Sequence, residues 1–386
     1  MQDYIERLIE KEIDGWAKTG KILLLLGARQ TGKTTLLKHI FSGKKTAYLN
    51  LDVIADRVKF ESSAVIEASS AMKLLGNPEI IVIDEAQRMP EAGRIVKGWF
   101  DYQVPQKIVL SGSSSLDLLN QSAESLTGRN IKIYTTPFLF REILNVQDPM
   151  VSNSPANFKK QVDVILRTLV VYGSYPETYK LAEKEEYLSR LVSDYLLKDI
   201  LQFDLVKNSQ LIGKMLLLLA YQVGSIVSLN EIANSLGISR ITVMKYIDLL
   251  EKIFVIFRLP AYSTNPRKEI AKSEKIYFWD NGVRNALIGS FSDALEQRDD
   301  LGKLWENWVI SEYAKRSLIE YDMKRLYFWR SYSGSEVDLI VKNVKDGSIK
   351  GYEIKWSNKK ISKTFTKRYG ISIEVINKEN YLDYLL

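Results

Sequence analysis

Gly27-Ala28-Arg29-Gln30-Thr31-Gly32-Lys33-Thr34 fits the pattern G-x-x-x-x-G-K-[ST] at every fixed position. The apolar run Ile22 to Leu26 precedes it and reads as a buried strand, and Thr35-Leu36-Leu37-Lys38-His39-Ile40-Phe41 follows it and reads as a helix. In that strand–loop–helix context the backbone N–H groups of the glycine loop and of the helix N-terminus converge on phosphate oxygens. Gly27 through Thr35 are therefore the expected phosphate cradle. Lys33 is expected to reach the β- and γ-phosphates, and the Thr34 hydroxyl to take a Mg²⁺ coordination position. A Gly/Thr-rich turn is the alternative. With both flanks in place the reading is binding of a nucleoside triphosphate, with ATP and Mg²⁺ as the expected cofactors.

Short β-like runs recur from there: Thr46–Leu51, Ile80–Ile83, Lys107–Leu110 and Ile131–Tyr134, with helical stretches between them. Such alternation predicts a parallel sheet covered by helices on both faces, over roughly residues 1–145. The run Ile80-Ile81-Val82-Ile83 ends in Asp84-Glu85. Functional groups collect at the C-terminal end of a buried parallel strand. Asp84 is expected to bind Mg²⁺ directly or through water, and Glu85 to act as general base on the attacking water. The next strand ends in Leu110-Ser111-Gly112-Ser113, where Ser111 or Ser113 would sense the γ-phosphate; a Ser/Gly helix-capping turn is the alternative. Arg129, just before the fifth strand, is expected either to lie on the surface or to serve as a finger in a neighbouring subunit's site, which implies a homo-oligomer.

These pieces together resemble the AAA+ superfamily, and more narrowly a bacterial and archaeal group of AAA+-like ATPases. The narrower resemblance rests on Gly27-Ala28-Arg29-Gln30-Thr31-Gly32-Lys33-Thr34-Thr35, Asp84-Glu85-Ala86-Gln87, Leu126-Thr127-Gly128-Arg129 and Pro137-Phe138-Leu139-Phe140-Arg141-Glu142. It extends through Tyr172-Gly173-Ser174-Tyr175-Pro176-Glu177 and Lys275-Ile276-Tyr277-Phe278-Trp279-Asp280. It implies additional-strand topology, ATP hydrolysis and a C-terminal domain of uncharacterised role.

A helical connecting segment is expected over residues 146–204. Over 205–285, Ser228 caps a short helix with Glu231 three residues on, Gly237 turns the chain, and Ser239 opens a second helix. With β-rich stretches after it, this predicts a winged helix-turn-helix. Ser239, Arg240, Thr242 and Lys245 would face a DNA major groove, with Arg267 and Lys268 on phosphate. A hinge or protein-contact role is the alternative, because Asp248 and Glu251 share that helix.

Over 286–386, Glu336-Val337-Asp338-Leu339-Ile340-Val341 and Gly351-Tyr352-Glu353-Ile354-Lys355 flank a turn and predict a hairpin. Asp338 and Glu353 would converge on one divalent metal, with Lys355 on the same face as Glu353. Glu306 matches a further helix-borne acid. The order resembles the PD-(D/E)xK phosphodiesterases, an α/β restriction-endonuclease-like fold, with Val337 in place of the proline. A salt-bridged hairpin on a binding domain is the alternative. The lysines from Lys342 to Arg368, with Trp356 and Tyr369 among them, match a phosphate-backbone track.

Composition sets the frame. The chain has 386 residues, 46% hydrophobic and 26% charged, as in multidomain globular proteins. No cysteine is present, which excludes disulfides and thiolate metal sites. With His39 the sole histidine, any metal must be held mainly by carboxylates, carbonyls and phosphates, which favours Mg²⁺ or Mn²⁺. A net charge of +7 permits nucleic-acid binding. Ile22–Leu26 is too short to cross a bilayer and Met1–Lys18 lacks a signal-peptide core, so a cytoplasmic protein without membrane contact is expected. DNA is the expected partner, and a protein partner is the alternative.

Overall fold

The structure is a computed structural model that describes residues 4–112, 126–146, 155–196, 209–264, 274–320, 323–331, 333–357 and 362–386. It divides into two compact units, Met1–Thr136 with Lys252–Phe254, and Pro137–Glu251 with Val255–Leu386.

In the first unit, strands β1 (Ile22–Gly27), β2 (Thr46–Asn50), β3 (Ile80–Asp84), β4 (Lys107–Gly112) and β5 (Asn130–Thr135) form one parallel sheet. Their order is β2-β3-β4-β1-β5, so β4 lies between the strand of the glycine loop and the strand of Asp84. Every residue of β1 and β3 is buried, which is why both read as unbroken apolar runs. Helices Ile54–Ala64, Ala68–Leu74 and Ala92–Asp101 join the sheet in a core that includes Leu24, Leu26, Ile81, Ile83, Phe60 and Trp99. His39 stacks on Tyr4 at 3.7 Å between ring centroids and has a packing role.

The second unit takes in the three segments expected after residue 145, and it begins at Pro137. Helices Leu229–Leu236 and Arg240–Lys252 flank the left-handed Gly237, and β6 (Ile256–Pro260) then pairs antiparallel with β7 (Glu274–Phe278). Ser228 caps as expected, accepting from Glu231 N at 3.3 Å. The helix Leu301–Ile319 leads into β8 (Lys324–Arg330), β9 (Glu336–Asn343), β10 (Ile349–Ile354) and β11 (Ile373–Ile376), in sheet order β11-β10-β9-β8. The expected hairpin is β9–β10. It gains an antiparallel neighbour in β8 and a parallel one in β11.

One buried network integrates this unit. Phe138 N donates to Ser174 O at 2.8 Å, and Ser174 N donates to Asp280 Oδ2 at 2.7 Å. Lys315 Nζ donates to Phe138 O, Ser174 Oγ and Glu312 Oε1 at 3.2, 3.0 and 3.0 Å, while Glu312 Oε2 accepts from Phe140 N at 2.9 Å. Gly173 has φ +70°, and a Cβ there would stand 1.9 Å from Asp280 Oδ1. The stretches Pro137–Glu142, Tyr172–Glu177 and Lys275–Asp280 thus meet in one place, where they serve folding.

Candidate functional site

The glycine loop runs from the end of β1 into the helix Lys33–Ile40, with Gly32 in the left-handed region at φ 89°. The first turn of that helix carries no side-chain cap. Gly27 sits against β5, where a Cβ would meet Thr135 O and Oγ1 at 2.2 Å. Thr31 is fully buried: its hydroxyl donates to Ala28 O at 2.9 Å and lies 3.1 Å from Thr135 Oγ1. Arg7 braces the loop from outside, donating to Thr31 O at 3.0 Å and Thr136 O at 2.6 Å. Lys33 Nζ folds over the loop onto Gly27 O and Ala28 O at 2.9 and 2.8 Å. Arg29 and Gln30 are half-buried at the loop's turn, Gln30 with φ 59°, and Thr35 is exposed on the helix.

Asp84, 1% exposed, is the centre of the site. Its Oδ2 accepts from Thr34 Oγ1 at 2.6 Å and from the Tyr48 hydroxyl, and its Oδ1 accepts from the Ser111 hydroxyl. Ser111 therefore stands where the topology predicted, while Ser113 lies outside the described residues. Burial, and then the Asp84 charge, push the Tyr48 hydroxyl far above its ordinary range, so it remains a donor. Glu85 follows with φ 53°, its carboxylate accepting from Gln87 Nε2. A threonine hydroxyl touching a buried aspartate at the mouth of a phosphate loop is a donor set that fits Mg²⁺ with a nucleoside triphosphate. Arg129 is at the other end of the sheet: its carbonyl accepts from Ile22 N at the start of β1, and its guanidinium pairs with Asp101 at 2.8 Å.

In the second unit the β9–β10 register sets Tyr352 opposite Leu339 and Gly351 opposite Ile340, which brings Asp338 and Glu353 onto one face. They converge on Lys355, whose Nζ lies 2.6 Å from Asp338 Oδ2 and 3.1 Å from Glu353 Oε2. Asp338 also accepts from Ile354 N at 2.8 Å. Glu306 turns to other partners, accepting from Tyr277 OH at 2.7 Å and Lys275 Nζ at 3.2 Å. Among the described residues no group of three or more acidic or histidine side chains is arranged to hold a metal ion. Of the expected metal set, Asp338 and Glu353 are thus brought together at Lys355, and Glu306 is held by Lys275 and Tyr277. Burial, and then the Asp338 charge, raise the Glu353 carboxyl to about 7, with Lys355 opposing. Burial and then Asp338 likewise raise Glu306. Burial works against the Lys275 ammonium, yet Glu306, Glu336 and Asp338 hold it above its ordinary value.

On the helix-turn-helix element Ser239, Arg240 and Lys245 are exposed and Thr242 is half-buried. Ile241 and Met244, 66% and 44% exposed, share that surface. The acids there are spent internally, since Arg258 of β6 pairs with Asp248 at 3.0 Å and with Glu251. Arg267, Lys268, Lys359 and Lys360 lie outside the described residues. Tyr369 packs on Phe365 and Trp329, and Trp356 meets Trp305 edge-on, each ring remaining half-buried. No helix among the described residues is long and apolar enough to cross a membrane.

Tyr48, Arg7 and Lys275 escaped the sequence reading. The one available signal was the period-two spacing of Lys275 and Tyr277 on a strand.

Three family models match the chain: an AAA domain over residues 19–144, a domain of unknown function (DUF8612) over 164–294 and another (DUF4143) over 301–380. An uncharacterized protein of Mycobacterium tuberculosis is 27% identical over 339 residues, covering 86% of this chain and 70% of the relative. One of Methanocaldococcus jannaschii is 24% identical over 348 residues, covering 87% and 75%. Among solved structures, a Walker-type ATPase of Pyrococcus abyssi superposes with a TM-score of 0.51 at 16% identity, covering 75% of this chain and 97% of that one, a likeness of fold. The sequence match and the fold agree that the N-terminal unit has the architecture of a P-loop, AAA-like ATPase.

Proposed function

We propose that the chain is a Mg²⁺-dependent ATPase that acts as a nucleotide-driven switch, with DNA as the partner of its second unit. The observation that carries the ATPase reading is Thr34 Oγ1 at 2.6 Å from the buried Asp84, with Glu85 one residue beyond. Thr34 and Asp84 would hold Mg²⁺, which neutralises phosphate charge when bound. Lys33 exchanges the Gly27 and Ala28 carbonyls for the β- and γ-phosphates. Glu85 releases Gln87 and takes the proton of the attacking water. Ser111 and Tyr48 fix both oxygens of Asp84, so its orientation is set before nucleotide arrives.

The helix-turn-helix and its hairpin are read as a winged helix, and the sheet β8–β11 as a PD-(D/E)xK-like fold. Exposed Arg240 and Lys245 favour contact with DNA phosphates, and Arg258 offsets part of the competing charge of Asp248 and Glu251. Compensation of Asp338 and Glu353 by Lys355 favours binding without cleavage. The test is the ATPase rate of the full chain with and without single-stranded, duplex and branched DNA, while scoring DNA integrity in Mg²⁺ and Mn²⁺. Stimulation with intact DNA is expected. No ATP turnover at all would sink the reading, and cleavage lost in Asp338→Ala and Lys355→Ala would replace binding by a nuclease role.

A further inference from the structure

Lysine is rarely buried completely unless it is paired. Lys275 is 2% exposed, and its partners come from three separate elements. It lies on β7, two residues from Tyr277, so the two side chains leave the strand on one face. Both reach the same atom, Glu306 Oε1 on the helix Leu301–Ile319, at 3.2 Å for the ammonium and 2.7 Å for the hydroxyl. The Lys275 ammonium also pairs with Glu336 at the start of β9 and stands 5.5 Å from the centroid of the Phe328 ring. Gly224 backs Glu306, where even an added Cβ would come within 3.0 Å of Oε1, so the carboxylate has little room to retreat.

Next to this group, Lys355 spans Asp338 and Glu353. A carboxylate cluster of this kind needs cationic charge to persist out of water. Mg²⁺ would supply it only with a near-octahedral set of oxygens, whereas an ammonium group needs three acceptors in loose tetrahedral directions. Glu306 and Glu336 supply two of those acceptors, beside the Phe328 ring, and are already engaged with the Lys275 ammonium.

We propose that Lys275 is a built-in cation of the C-terminal carboxylate cluster. Delivered by the hairpin strand β7, its ammonium takes the charge-neutralising place of a divalent ion at Glu306 and Glu336. Glu306 is then a positioning partner of Lys275 and no metal ligand. The nuclease-like reading serves only to locate the cluster, and its own metal question, at Asp338 and Glu353, has a separate arm in the test.

The test is Mn²⁺ binding to the nucleotide-free full chain, read by electron paramagnetic resonance and by thermal melting. Glu306→Gln is expected to leave Mn²⁺ binding as in the parent. Lys275→Met is expected to bind Mn²⁺ about tenfold or more tighter than the parent and to melt higher when Mn²⁺ is added, because the half-buried Glu306 and Glu336 have lost the ammonium they share. Adding Glu306→Gln to Lys275→Met should cancel both gains, and Lys275→Arg should behave as the parent. If Lys275→Met is unfolded alone, recovery of its circular dichroism by Mn²⁺, and not by KCl of equal ionic strength, supports the proposal. Weaker Mn²⁺ binding in Glu306→Gln with Lys275 present makes Glu306 a metal ligand and overturns it, whether or not Lys275→Met folds. A folded Lys275→Met with no gain overturns it equally. Mn²⁺ binding unaltered by Asp338→Asn counts against a metal at Asp338 and Glu353 and leaves the Lys275 arm intact.

Discussion

Replacing Glu353 by glutamine should stabilise the protein at alkaline pH. The carboxyl is buried beside Asp338, and Lys355 at 3.1 Å from Glu353 Oε2 compensates only part of the cost. Its folded pKa is about 7 against an ordinary 4.5. Because the folded value is the higher one, folding favours the protonated acid: stability is full below about 4.5 and falls as pH rises through about 7. The shift is worth about 3 kcal/mol at 1.36 kcal/mol per unit, and about 2 kcal/mol after allowance for residual solvent screening at the site. Glutamine keeps the shape and an acceptor for Lys355 but carries no charge, so it escapes that loss. Urea melts with chelator present should show Glu353→Gln level with the parent near pH ~4.5 and ahead of it by about 2 kcal/mol near pH ~8. A variant that is less stable than the parent at both pH values would refute the reasoning. The Lys355–Glu353 pair would then be a net stabilising ion pair, and the Glu353 carboxyl would not stand above its ordinary value in the folded protein.

At the nucleotide site, Lys33→Ala should lose ATP affinity by about 10²-fold or more, since charge-assisted hydrogen bonds are worth about 1.5–3 kcal/mol each. Glu85→Gln should keep affinity and lose turnover by about 10²- to 10⁴-fold, and equal affinity losses in the two would sink these roles. Arg129→Ala should lower turnover with ATP affinity nearly unchanged, and turnover per subunit should rise with protein concentration; a strictly monomeric protein with concentration-independent turnover would remove the finger. Lys315→Met should cost about 3–5 kcal/mol by leaving Glu312 and Asp280 buried without their counter-charge, measured by denaturant unfolding, with partial recovery when Glu312→Gln is added.

The nucleotide site was legible because its information is local. Ile22–Leu26 and Ile80–Ile83 are unbroken apolar runs, each ending in residues of the candidate nucleotide site, as buried parallel strands do. Tyr48 was not legible. Its strand lies half-buried at the edge of the sheet with Leu49 its one buried residue, and only the pairing of Asn50 with Asp84 brings that strand's end beside the carboxylate. The hairpin carrying Asp338 and Glu353 could be read from its alternation and turn, whereas the partners β8 and β11 could not, because pairing across a sheet leaves no mark in either strand alone.

The motifs of the second unit pose a different problem. Pro137–Glu142, Tyr172–Glu177 and Lys275–Asp280 look like functional signatures, being dense in glycine, proline, aromatics and acids. Ser174 and Asp280 of these stretches close one buried network with Glu312 and Lys315, so those residue types are dictated by desolvation: each buried donor must find its acceptor. Lys275 and Tyr277 are the part of this signature that points elsewhere, to Glu306 and the carboxylate cluster. The segment Lys275–Asp280 therefore makes a charge contact at Lys275, on β7, and a folding contact at Asp280, two residues past the strand's end. A shift of β7 would have to break both at once, so the position of this strand is fixed by burial at one end and by charge at the other.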